Sequence, residues 1–333
     1  MRRMIYGLVI AAVVVVGAYF WLQNEGDNSG PIIFLPKTID ASIEFWQVVD
    51  QGMYAAAAEY GTSVKVMGTI KETDYEGQIK LLKQAMAMKP RAILLSASDY
   101  EKLVPAAKDV VKSGIPLITV DSGLKGGISN SLIATDNYEA GKKAGNALAE
   151  ALPDRGKVAI LNYIQGTSTS IDRENGVRDS LNHVNGVQIV GTFYSEGLSA
   201  KAYSVTQSLL RQYPDLQGIV CLNEPTTLGA AEAVRDAAKY SQVKLIGFDS
   251  SMNEISMLED GIIQAIVVQK PFNMGYLAVK TAVQLHKGGK ADPRIDTGSQ
   301  VIWKKTMYDK ENQKLLFPFL DQKREAAGRI GAG

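Results

Sequence analysis

The chain has 333 residues, 46% of them hydrophobic and 21% charged, with a net charge of +1. That length is about two domains, and the near-neutral balance excludes nucleic acid or an anionic surface as the main partner. The single cysteine, Cys221, excludes an intramolecular disulfide and a cysteine-based metal cluster, and its apolar setting in GIVCL marks it as core.

The N-terminus reads as a membrane segment. After MRRM, residues 5–22 (IYGLVIAAVVVVGAYFWL) carry no charge, and a spanning helix needs about 20 apolar residues. Arg2 and Arg3 place the start in the cytoplasm, and Tyr19, Phe20 and Trp21 suit the outer interface. A cleaved signal peptide is the alternative, with Val16-Gly17-Ala18 as its cleavage site, but its apolar core runs to about 7–15 residues, so an uncleaved anchor is favoured. Both readings put the remaining chain outside the cytoplasm. Residues 23–31 (QNEGDNSGP) are a polar linker.

From residue 32 strands and helices alternate. IIFL is a strand; FWQVVDQGMYAAAAEYG is a helix with Phe45, Val48, Val49, Gly52, Met53 and Ala56 on one face, closed by Gly61. VKVMG, YEGQIKLLKQAMAMK, AILLS, KLVPAAKDVVKSG and PLITVD continue the pattern. A second series follows, from AGKKAGNALAEAL and KVAIL through GIVCL and KLIGFD to QAIVVQ and MGYLAVKTAVQLHKGG. Such alternation specifies parallel sheets with helices on both faces, and the near-continuous apolar strands are those of buried parallel sheets. Some ten strands exceed one comfortable sheet, so the expected fold is α/β, two similar doubly wound parallel-sheet lobes.

Two strands end alike. LITVDSGL delivers Asp121 and LIGFDSSM delivers Asp249, each followed by small polar residues. Loops at the carboxyl ends of parallel strands form the ligand crevice, which puts Asp121, Asp249, the NEP of residues 223–225 and Gln269 on its edges. Carboxylates accept from paired hydroxyls, amides both donate and accept, and Phe45 and Trp46 offer flat apolar faces. Polyols need that combination. Taken singly, each feature has a plainer reading as a turn, cap or core residue.

In order and spacing, FWQVVDQG, GIPLITVDS, ATDNYEAGKKAG, GTSTSIDRENG, NEPTTLGA, IGFDSS and IVVQKPFNMG resemble the ribose-type periplasmic sugar-binding proteins (type I solute-binding proteins) over about residues 32–303. The resemblance implies two lobes joined by a hinge, no cofactor, no metal and no catalysis. It sets the family's stacking aromatics on Phe45 and Trp46, its first-lobe aspartate on Asp121, and its binding arginine on Arg173. Its asparagine falls on Asn223, its second-lobe aspartate on Asp249 and its glutamine on Gln269. Three positions depart from the ribose receptor: Ser122, retained as a ligand-binding position, replaces an arginine, Ile43 an asparagine (with Ser42 or Asp40 as substitutes), and Gly197 lies near a missing aromatic. A sugar or polyol other than ribose is therefore expected. The implied division is 31–134 with 270–296 as first lobe and 135–269 with 297–320 as second, followed by a polar tail, 321–333.

Enzyme readings are weaker. His183 and His286 lie in helical runs without a metal or triad setting. GGISNS lacks the helix and lysine of a phosphate loop, and SQVK leads into a strand. Asp121 and Asp249 as a glycosidase pair, which needs carboxyl groups about 5–10 Å apart, rank below binding. A transcription regulator is excluded, since residues 1–31 hold an apolar span instead of a helix-turn-helix. The expected partner is the permease of an ABC-type importer, with a sensor histidine kinase as the alternative.

Overall fold

The computed structural model describes residues 30–152 and 156–317. The expected membrane segment at 5–22 and the tail at 321–333 lie outside these, and no helix among the described residues is long and apolar enough to cross a membrane.

The first sheet is built from β1 (Ile32–Leu35), β2 (Val64–Val66), β3 (Ala92–Leu95), β4 (Leu117–Val120), β5 (Ser131–Ala134) and β11 (Arg294–Asp296), in the spatial order β2-β1-β3-β4-β5-β11. All its pairings are parallel. Helices α1 (Glu44–Glu59), α2 (Tyr75–Ala87) and α3 (Val104–Lys112) connect these strands. Along β1 the side chains alternate between two cores: Ile32 and Phe34 meet Trp46, Val49 and Met53 of α1, while Ile33 and Leu35 meet Leu82 of α2 and Ala107 of α3.

The second sheet repeats the plan. It contains β6 (Gly156–Asn162), β7 (Val187–Tyr194), β8 (Leu216–Cys221), β9 (Lys244–Phe248), β10 (Ala265–Val268) and β12 (Gln300–Trp303), ordered β7-β6-β8-β9-β10-β12. Its helices are α4 (Asn137–Ala151), α5 (Ser168–Asn182), α6 (Ser199–Gln212), α7 (Glu224–Asp236) and α8 (Met252–Glu259), with α10 (Lys310–Leu316) near the end of the described chain. Helix α9 (Pro271–His286) follows β10 of the second sheet but packs in the core of the first.

Three strands have no counterpart in the elements read from sequence. SLIA (β5), RID (β11) and QVIW (β12) are short, and β11 is largely exposed, so none carries a long apolar run. Strand β12 also runs antiparallel to β10, which corrects the all-parallel expectation. An edge strand after the last helix needs no crossover and can enter in either direction.

Glycine allows a close helix contact in each lobe. A Cβ on Gly52 of α1 would lie 2.0 Å from the carbonyl oxygen of Phe272, so α1 and α9 touch backbone to backbone. On α4, a Cβ on Gly141 would meet the Arg173 carbonyl oxygen of α5 at 2.2 Å. The first contact seats the helix that carries Phe45 and Trp46, and the second seats the helix that carries Arg173.

Candidate functional site

The sheets' carboxyl edges face each other across a cleft. Its flanks are bridged: Tyr100 N donates to Gly166 O at 2.8 Å and Gly123 N to Ser168 Oγ at 2.9 Å, joining the two lobes. The free volume between them is about 30 Å³, room for a water molecule or two in this arrangement of the lobes.

Asp121 and Asp249 both line this cavity and are almost fully buried, at 4% and 7% exposure. The backbone at both is left-handed, with φ of 62° and 80°, a conformation that aspartate tolerates better than most residues. Asp249 Oδ1 accepts from Gln269 Nε2 at 2.7 Å and Oδ2 from the backbone N–H of Glu224 at 3.0 Å. Burial, more than these bonds and Arg173 can offset, pushes the Asp249 carboxyl above its ordinary range.

Phe45 and Trp46 stand at the start of α1 and line the cavity with their rings edge to face, centroids 5.1 Å apart. Arg173, 2% exposed, is held by Nε donating to Asn137 Oδ1 (2.8 Å) and Nη1 donating to Leu222 O (2.7 Å), over the Phe248 ring. Its remaining nitrogen, Nη2, is the donor left to serve the cavity that Arg173 lines. Asn223 caps α7 by accepting from Thr226 N at 3.2 Å, which leaves its amide N–H groups to the cavity it also lines.

Seven of the eight residues placed by sequence, Phe45, Trp46, Asp121, Arg173, Asn223, Asp249 and Gln269, come together here. Ser122 does not: its hydroxyl donates to Ala97 O at 2.7 Å, inside the first lobe. Of the loop positions offered as substitutes, Ser42 bonds Asp40 in an exposed turn, whereas Ile43 lines the cavity. His183 is exposed, with Nδ1 2.6 Å from Asp179 O at the end of α5.

Three further lining residues escaped the sequence reading. Lys37, 4% exposed, lies beyond the end of β1; its ammonium is 2.7 Å from Asp121 Oδ2 and donates to Thr169 Oγ1 across the cleft at 3.1 Å. Burial works against that charge, but Asp121, Tyr163 and Glu72 outweigh it and leave the Lys37 pKa above the ordinary lysine value. Glu72 follows β2 and accepts from Trp46 Nε1 at 3.3 Å; burial raises its carboxyl, with Lys37 opposing. Tyr163, directly after β6, donates to Thr169 Oγ1 at 2.5 Å. In each sheet the strand order reverses at β1 or β6, and crevices open at such points, so Lys37 and Tyr163 carried a positional signal. Glu72 also explains Gly197: a Cβ there would be 3.3 Å from the Glu72 carboxyl, which occupies the space beside it.

Two acceptors at the cavity, Glu72 Oε2 and Gln269 Oε1, are buried and have no hydrogen-bond partner among the described residues. Orphaned buried acceptors are costly and call for donors.

The model of the periplasmic binding protein domain matches residues 32–290. The D-allose-binding periplasmic protein of Escherichia coli is 26% identical over 257 residues, covering 75% of this chain and 83% of that protein. The ribose import binding protein RbsB of Haemophilus influenzae is 28% identical over 258 residues, covering 78% and 87%. Among solved structures, a carbohydrate transporter solute-binding protein from Agrobacterium radiobacter in complex with D-arabinose superimposes with a TM-score of 0.84 at 30% identity, over 87% of this chain and 100% of the other. A sugar transporter from Clostridium phytofermentans is 39% identical, with a TM-score of 0.78, over 83% and 100%. With a two-lobe fold, a cleft between strand ends and this set of relatives, the chain belongs to the periplasmic binding protein family, among the sugar-binding proteins of ABC importers and not among enzymes.

Proposed function

We propose that the protein binds a monosaccharide or related polyol in the cleft between its lobes, outside the cytoplasm, and delivers it to the permease of an ABC-type importer. In this reading residues 5–22 hold it at the outer face of the cytoplasmic membrane. One observation carries the ligand class: the buried acceptors Glu72 Oε2 and Gln269 Oε1 belong to residues that line a cavity together with the Phe45–Trp46 pair, two aspartates, Lys37 and Arg173. Hydroxyl groups donate to such acceptors, and a sugar's C–H face suits the aromatic pair. A cofactor phosphate would instead meet the carboxyl groups of Glu72, Asp121, Glu224 and Asp249, although Lys37 and Arg173 line the same cavity. Relatives named for D-allose and ribose, and a solved structure in complex with D-arabinose, support the same class.

Within that class, Lys37 is already ion-paired with Asp121, while the unpartnered Glu72 Oε2 would reward a ligand with an additional hydroxyl at that edge. A thermal-shift screen of pentoses, hexoses, inositols and sugar alcohols tests the proposal. A true ligand at 100 times its dissociation constant adds about 2.7 kcal/mol of stability. A screen in which no polyol raises the melting temperature would refute it.

A further inference from the structure

Helix α1 begins without a cap of its own. Ile43 stands at the N-cap position and makes no side-chain hydrogen bond, although the first N–H groups of any helix need partners. They find them in the other lobe. Glu224, at the start of α7, accepts from Glu44 N through Oε1 and from Phe45 N through Oε2, both at 3.0 Å. The contact is returned: the Glu44 carboxyl accepts from the backbone N–H of Met252, the first residue of α8, at 3.2 Å.

We propose that Glu224 and Glu44 form a two-way latch, each capping a helix of the opposite lobe, that stabilises the closed form and positions the Phe45–Trp46 pair in it. The inference rests on the sugar-binding reading above only for its purpose; the latch itself is a property of the closed lobes. Neither carboxyl caps a helix of its own lobe in this way, so both caps are lost when the lobes separate. Glu224, 2% exposed, is covered by α1 of the first lobe and re-enters water on opening. Apparent affinity is intrinsic affinity scaled by the competent fraction. A latching residue that touches no sugar therefore changes the affinity for every sugar by one common factor, whereas Glu224 also lines the sugar cavity. Glu44 is the clean case, because it does not line the sugar cavity.

The test uses the full-length protein, spin-labelled at Lys108→Cys and Gln242→Cys on exposed faces of the two lobes, with the native Cys221 buried. Inter-label distances are measured at pH 6, empty and with D-allose, in wild type, Glu44→Ala and Glu224→Ala. The latch requires the short-distance fraction to fall in both variants. It also requires dissociation constants for D-allose, D-ribose and D-arabinose to rise in Glu44→Ala by one shared factor, roughly three- to tenfold for a lost helix cap. Glu224→Gln, which keeps one acceptor oxygen, should recover part of the loss. Unchanged distances in both variants, or a Glu44→Ala factor that differs from sugar to sugar, would overturn the latch. Wild type that binds none of the sugars while its distances still respond to Glu44→Ala would sink the sugar reading and leave the latch standing.

Discussion

Asp121 and Asp249 occupy the same place in the two lobes. Each follows a strand, β4 or β9, in the left-handed conformation, and each donates its N–H at 2.9 Å to the neighbouring strand, Asp121 to Ile133 O and Asp249 to Val267 O. The repeated sheet order makes these positions equivalent and sets the two carboxyl groups on facing walls of one cleft. Their partners differ. Asp121 is ion-paired with Lys37, and Asp249 is bonded to Gln269.

That difference predicts unequal costs. Asp121→Asn keeps a side chain that tolerates the left-handed backbone but leaves the Lys37 ammonium buried without its counter-charge. Breaking one side of such a pair costs about 3–5 kcal/mol. Asp249→Asn removes no buried ion pair and should cost less stability. Chemical denaturation of both variants without sugar checks the order; equal losses would contradict it.

Arg173→Ala should weaken sugar binding by about 2 kcal/mol or more, since a charged donor is lost. It should also lower stability, because Asn137 Oδ1 and Leu222 O lose their donor in the interior. Arg173→Lys should not restore binding: one ammonium cannot bond both acceptors and stack on Phe248 at once. Calorimetry beside thermal melts separates the two effects.

Affinity should fall as pH rises through neutrality. Burial pushes the Glu224 carboxyl up to about 7, against the N–H groups of Glu44 and Phe45, with Asp249 and Glu44 adding to the rise. The groups facing it are Glu44 from α1, Asp249 after β9 and Glu254 of α8, whose carboxyls are held high by burial in the last two cases. Opening returns Glu224 to water and to the ordinary value, 4.5, so closure takes up a proton. Its contribution is fully present below the open-state value and is lost as pH passes through the closed-state one. Between pH 6 and pH 8 the dissociation constant should rise about tenfold. Titrations at the two pH values in wild type and Glu224→Gln check this, and a flat wild-type profile would count against it.

Gly52→Ala should destabilise the first lobe by about 1–3 kcal/mol, since the added methyl must push α1 away from the Phe272 carbonyl. The displacement also moves Phe45 and Trp46, so a weaker sugar affinity should accompany the lower melting temperature.

The architecture was legible because buried parallel strands are nearly continuous apolar runs and the helices between them keep one apolar face. Strands β5, β11 and β12 were not, since three or four residues with mixed burial carry no periodic signal. The strand-end aspartates were legible for a chemical reason: a charged residue after an apolar run sits on a crevice edge. Lys37 was missed because two residues, Pro36 and then the lysine itself, carry the chain past the strand, and a lysine in a loop reads as solvated. Nothing local in its sequence reports that Asp121, 84 residues on, buries and neutralises it. Ser122 shows the converse. Its neighbour turns into the cleft, and the left-handed backbone at Asp121 sends the serine back to Ala97.

In the proposed function a polyol is held between the two strand-end aspartates, Asp121 and Asp249. Calorimetric titration of the full-length protein with pentoses, hexoses and sugar alcohols, in wild type and in Asp249→Asn, tests it most directly. The account predicts saturable one-to-one binding of at least one of them to wild type, weakened at least tenfold in Asp249→Asn. Folded wild-type protein that gives no binding heat with any of them, or an Asp249→Asn variant that binds as wild type does, would contradict it.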